Sequence, residues 1–145
     1  MYCSCYLRKG IVYVPTLART TAGFHLVVGP VAVVPVSQAA ELHEVFREKI
    51  AKGNPAVPTP ARNDPGDEAV MLKPAGVKSW SAFERGAMTW SIGEKDGIYR
   101  IQGDKKYPGG GWVPDPEQLV TFPPGTDVDE VIDRMIAILQ AAAGQ

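Results

Sequence analysis

The residues whose types and spacing could do chemistry fall into a few groups. The first is "YPGGGWVPDP", residues 107–116, where three glycines in a row suggest a loop that cradles a phosphate. Such loops work because glycines let backbone amides converge on an anion at a helix N-terminus. Here Pro114 and Pro116 follow, removing amides and blocking a helix beyond its first turn. No lysine-serine or lysine-threonine pair follows the glycines, and Asp115 would repel an anion. The segment therefore reads as a corner, with no nucleotide bound at Gly109, Gly110 or Gly111.

Nucleophilic catalysis needs a nucleophile, a base and a group that orients the base. The thiols are Cys3 and Cys5, and the only histidines are His25 and His43. His25 lies inside "FHLVV" and can face either way. His43 lies between Leu42 and Glu44, on the face of a helix expected to be solvated. A dyad of His25 with Cys3 or Cys5 has no support from spacing. Cysteines at alternate strand positions point the same way, which strains a mutual disulfide. Two thiols cannot complete a zinc site without nearby histidines, so two free thiols and no metal are expected.

Paired carboxylates can do acid/base work. The candidates Asp127, Asp129, Glu130 and Asp133 cluster at the start of the last helix, where negative charge complements the helix dipole. Residues 129, 130 and 133 can also share one side as an acidic docking face. Among the aromatics, Trp80, Trp90 and Tyr99 read as core. Tyr107 and Trp112 flank the glycines, so at least one of them is expected at the surface as a contact anchor.

The elements that must position these residues are short. "LRKGIVYVPT" reads as a strand, as do "FHLVV" and "VAVVPV", with Gly29-Pro30 as a turn between the last two. Pro35 cannot donate to a ladder, which places its strand at an edge or ends it there. Ser37 can cap a helix over 37–52, with Ala39, Leu42, Val45, Phe46 and Ile50 as its apolar stripe. Glu41, Glu44, Arg47, Glu48 and Lys49 then face water, and Gly53 ends the helix. A proline-rich loop near 54–68 follows, then "AVMLKP" as a short strand. "KSWSAFERGA" gives one or two helical turns capped by Ser79. "MTWSIGEKDGIYRIQ" reads as a hairpin turning at Asp96-Gly97. "EQLVTF" is a further strand. The last helix, 127–142, has a capping-box-like pair in Thr126 and Asp129 and a stripe through Val128, Val131, Ile132, Met135, Ile138, Leu139 and Ala142. The expected architecture is α+β, a mainly antiparallel sheet with the 37–52 and 127–142 helices packed on it.

The 145 residues suit a single domain over 1–145, large enough to need neither disulfide nor metal staple. Apolar residues make up 45% and charged residues 21%, which excludes a disordered chain. The net charge of -1 excludes a polybasic nucleic-acid footprint. Residues 115–145 nevertheless carry six acids against Arg134 alone, which hints at a basic partner. No signal peptide is evident, and "FHLVVGPVAVVPV" is broken by Pro30 and Pro35 and too short to span a bilayer. A soluble, cytoplasmic protein with no membrane partner is expected.

Two segments taken together, "VKSWSAFERGAMTWSI…DGIYRI" and "GGWVPDP…FPPGTDVDEVIDRMIAIL", resemble the immunity proteins of contact-dependent growth-inhibition systems, small bacterial proteins encoded beside polymorphic toxins. The likeness covers the C-terminal half of the chain. It implies a non-enzymatic protein without cofactor that binds and blocks a cognate toxin domain. These proteins share a role rather than one sequence or fold, so no binding residue carries over by position. Those against nucleases are often strongly acidic, which this chain is not. On the residues alone, the partner-binding candidates are Tyr107, Trp112, Asp129, Glu130 and Asp133. The competing reading is a small cytoplasmic hydrolase that uses His25 with a nearby cysteine or carboxylate.

Overall fold

The computed structural model describes residues 1–61 and 68–144. Among the described residues, one seven-stranded sheet collects strands from both ends of the chain, in the order β3-β2-β1-β5-β6-β7. The strands are β1 (Tyr2–Arg8), β2 (Ile11–Thr20), β3 (His25–Pro35), β4 (Ala56–Val57), β5 (Ala87–Lys95), β6 (Ile98–Lys106) and β7 (Trp112–Thr121). All neighbours along that order are antiparallel; β4 pairs in parallel with the end of β2, at Arg19 and Thr20. The helices are α1 (Ala39–Lys52), α2 (Glu68–Ala75), α3 (Trp80–Arg85) and α4 (Val128–Ala143). This is the α+β architecture expected, with β3, the strand that ends in Pro35, at an edge.

Alternation along the strands gives the sheet two faces. Cys3, Cys5 and Leu7 point to one face, in register with Ile92, Trp90 and Val12 on neighbouring strands. There α1 contributes Leu42 and Phe46, and α4 contributes Val131, Ile132, Met135, Ile136 and Leu139, all buried. Each such side chain contributes about 1.5–3 kcal/mol of transfer free energy. Ile136 widens the stripe read from the sequence because α4 packs on both α1 and β6. The opposite face carries Tyr13, Leu17 and Val27 beneath Met71 of α2 and Phe83 of α3.

Several local expectations are corrected. "LRKGIVYVPT" is the end of one strand and the start of another: Lys9 and Gly10 both adopt positive φ, 52° and 75°, and turn the chain. Gly29-Pro30 is no turn, because β3 runs through it. The pairing with β2 is instead shifted between Val14 and Thr16, where Pro15 faces a stretch containing Pro30. Neither proline has an amide to give the ladder, so a bulge is the available solution. Lys49 faces water only in part. It is half-buried, and its Nζ donates to Thr16 Oγ1 at 2.9 Å and to the Pro30 carbonyl at 2.8 Å, next to the bulge.

"AVMLKP" lies in α2 rather than a strand; Ala, Met and Leu are strong helix formers, and Pro74 sits near the helix end. Gln38, not Ser37, occupies the N-cap of α1, without a side-chain bond. Asp127 caps α4 by accepting from the Asp129 amide at 2.8 Å, while Thr126 Oγ1 donates to the Pro123 carbonyl instead. Of the proline-rich loop near 54–68, residues 56–57 form β4, and residues 62–67 lie outside the described residues. The hairpin at Asp96-Gly97 (φ 54° and 77°), the Ser79 cap and the Gly53 stop (φ 73°) stand as read.

Candidate functional site

The three glycines form the turn between β6 and β7, beside α3. Gly110 and Gly111 adopt positive φ, 101° and 75°, which glycine allows without steric cost. The Gly110 amide donates to the Tyr107 carbonyl at 2.9 Å and the Tyr107 amide donates to the Gly111 carbonyl at 3.0 Å. The Gly111 amide does meet an anion, but that anion is the chain's own Glu84 carboxylate. Lys106 completes the latch, its Nζ donating to the carbonyls of Glu84 and Arg85 at 2.6 and 2.8 Å. Those carbonyls end α3, where a cation is favoured. The glycine loop thus turns a corner and clasps α3, and two of its amides are spent internally.

The two aromatics flanking the glycines part company. Tyr107 is 56% exposed. Trp112 packs inward, edge-on to Trp80 (6.0 Å between centroids) and tilted on Tyr6 (5.7 Å). Trp80 and Tyr6 in turn pack on Phe83. Trp112 Nε1 is shielded from solvent without a hydrogen-bond partner among the described residues. Beyond Trp112, the Asp115 carboxylate accepts from Gln118 Nε2 at 3.0 Å and the Glu117 amide at 3.1 Å. These bonds, the Gln118 one first, hold it below the usual carboxylate range.

The acidic candidates lie across the sheet from Trp112. Asp129 accepts both oxygens' bonds from Arg47 Nη1 of α1, at 3.0 and 3.2 Å. His43 Nε2 lies 3.4 Å from Asp129 and 3.6 Å from Asp133. Glu130 is exposed. The structure therefore gathers Asp129 and Asp133 with two residues that were not singled out with them, His43 and Arg47. It does not join this cluster to Trp112, whose ring packs on the other face. The His43–Asp129 meeting spans more than eighty positions and leaves no local sequence signal.

The candidate catalytic groups are separated too. Cys3 and Cys5 are free and buried under the helices. Burial, opposed weakly by Lys49, pushes the Cys3 thiol up to about 12. Burial, then the neighbouring Cys3, pushes Cys5 higher still. Neither is a thiolate near neutral pH. His25 faces the opposite side, its ring stacked on Tyr2 with centroids 5.1 Å apart. Its affinity for a proton is lowered first by burial, then by Arg19 and the amino terminus. The charges that reach His25 are thus cationic. Among the described residues, no group of three His, Cys, Asp or Glu side chains could hold a metal.

No protein-family model matches the chain, and no characterised sequence does. Solved structures do match. One is a chain from the CdiA-CT/CdiI toxin and immunity complex of Yersinia pseudotuberculosis, with TM-score 0.67 and 10% identity over 98% of this chain and 95% of that one. Another is a protein of unknown function from Neisseria meningitidis, with TM-score 0.67 and 11% identity over 97% and 93% of the two chains. At these identities what is shared is the fold. The resemblance read from the C-terminal half and the likeness of the whole fold agree.

Proposed function

We propose that this chain is an immunity protein: it binds and neutralises the toxin domain of its own strain, in the cytoplasm, without turnover of its own. The observation that carries this reading is the fold shared, over nearly the whole of both chains, with a member of a toxin and immunity complex. The chemistry supports it. Both thiols are buried and held protonated, and His25 keeps company with cations on the other side of the sheet. Among the described residues no helix is long and apolar enough to cross a membrane.

Tyr107 is the exposed aromatic at the β6–β7 turn and serves as an anchor for the partner. Glu130 and Asp133 project from the first turns of α4 and steer a basic partner, with Asp129 held among them by Arg47. Trp112 supports the turn from beneath. The test is co-expression with the toxin domain encoded in the adjacent gene. Growth should be rescued from that toxin and not from an unrelated one. A folded, abundant protein that fails to protect refutes the reading.

A further inference from the structure

Among the described residues five carboxylates are half-buried: Glu84, Glu94, Asp104, Asp115 and Asp129. Four of them are answered from within the chain. Glu84 takes the Gly111 amide, Glu94 the Gly97 amide, Asp115 the Gln118 side chain and Asp129 the Arg47 guanidinium. Asp104 of β6 accepts no hydrogen bond and meets no cation among the described residues. Burial alone acts on it and raises its affinity for a proton above the usual carboxylate level.

Donors surround Asp104, but each is engaged elsewhere. Gln102, two residues back on the same face, gives its Nε2 to the carbonyls of Gly103 and Asp115. Lys106, two residues on, clasps the end of α3. Lys105 points to the opposite face by strand alternation and acts on Asp115. Trp90 of β5 pairs with Gly103, so Thr89 comes next to Asp104, and its Oγ1 donates to the Cys5 carbonyl. Arg100 shares the face but lies about 13 Å along the strand, beyond the screening length of physiological salt. A half-buried charge without a partner costs stability, so its place in this fold asks for a partner from outside it.

The surroundings suit a cation carried on an apolar stem. Asp104 pairs with Pro114 of β7, which is exposed and, with Gln102, lines one end of an open cleft of ≈ 300 Å³. The cations of the cleft, Arg100 and Lys95, stand at its other end, two and four pairs further along the β5–β6 ladder. Leu119, the ladder partner of Gln102, is exposed, as is Glu117 two residues before it. Tyr107 lies three residues beyond Asp104 on the same hairpin.

We propose that Asp104 receives a lysine or arginine side chain of the partner toxin domain, whose methylenes lie over Pro114. This deepens the immunity reading and rests on it. It gives the basic partner a point of contact beside the Tyr107 anchor. The acids of α4, on the far side of the sheet, steer that partner from a distance, whereas Asp104 pairs with it.

The test is Asp104→Asn, which keeps the shape and removes the charge, read in two ways. The first reading needs no toxin. Urea unfolding at pH 7 should give a midpoint equal to or above that of the wild type, because an unanswered charge is removed. A clearly lower midpoint, or failure to fold, means that Asp104 has an internal partner and overturns the proposal. The second reading is affinity for the purified toxin domain, which should fall at least about tenfold, mainly through faster dissociation. Glu130→Gln with Asp133→Gln should instead slow association, and the more so at low salt. In double-mutant cycles, replacing one lysine or arginine of the toxin by methionine should add little to the loss from Asp104→Asn. Unchanged affinity of the folded variant, or no toxin cation that couples to Asp104, overturns the proposal while leaving the immunity reading in place. If the folded wild type itself neither binds nor protects, the immunity reading fails, and the contact falls with it.

Discussion

Trp112 and Tyr107 stand five residues apart on one hairpin, and the structure assigns them opposite thermodynamic roles. Truncating a fully buried tryptophan to alanine costs about 3–5 kcal/mol. Trp112 is only half-buried, so about half of that applies. Its shielded Nε1 has no partner among the described residues, and removing it relieves a desolvation cost of about 1 kcal/mol. Trp112→Ala should therefore destabilise by about 0.5–1.5 kcal/mol. Trp112→Phe keeps a ring against Tyr6 and Trp80 and drops the orphan N–H, so it should stay within about 1 kcal/mol of wild type. Tyr107→Ala, at an exposed site, should stay within about 0.5 kcal/mol. Urea unfolding followed by circular dichroism measures all three. With a slope of about 2 kcal/mol/M, the Trp112→Ala midpoint should drop by roughly 0.25–0.75 M. If Trp112→Phe loses as much as Trp112→Ala, the indole N–H has a partner and the reasoning is wrong. If Tyr107→Ala loses more than either, the turn is core rather than surface.

Other consequences follow from single contacts. Gly103 lies where a Cβ would come within 2.8 Å of Trp90 Nε1 and of Gln118 Cβ, so Gly103→Ala should cost about 1–3 kcal/mol by overpacking; an unchanged urea midpoint would contradict this. The Arg47–Asp129 pair is 62% and 39% exposed, so a double-mutant cycle with alanine should give a coupling of about 1 kcal/mol or less. A coupling well above that would mean the pair is more shielded than its geometry indicates. His25 has its proton affinity lowered in the fold, so just below about pH 6.5 the unfolded chain binds a proton that the folded chain does not. That contribution to stability is present above this pH and lost as pH falls through the window. The stability of wild type relative to His25→Gln should accordingly be greater at pH 8 than at pH 5; a constant or reversed difference would refute it.

What could be read from the sequence was local. The Asp96-Gly97 hairpin, the Gly53 stop and the stripe of α4 each depend on residues within one or two turns of chain. The boundary at Lys9-Gly10 was missed because lysine rarely takes positive φ, so only Gly10 hinted at a turn. "AVMLKP" misled because a short apolar run fits a strand or a helix, and its packing on β3 and α3 decides for helix. At the candidate site, sequence identified the acids of α4 but not Arg47 and His43 as their partners, which α1 brings in from across the core. It identified Trp112 but not the ring cluster of Tyr6, Trp80 and Phe83 that draws it inward.

The proposed immunity role requires that this fold bind a protein rather than transform a substrate. The direct measurement is calorimetric titration of the purified protein with the purified toxin domain from the adjacent gene. A saturable one-to-one complex tighter than about 1 μM is expected. Absence of binding between two folded partners at many times that concentration would contradict it.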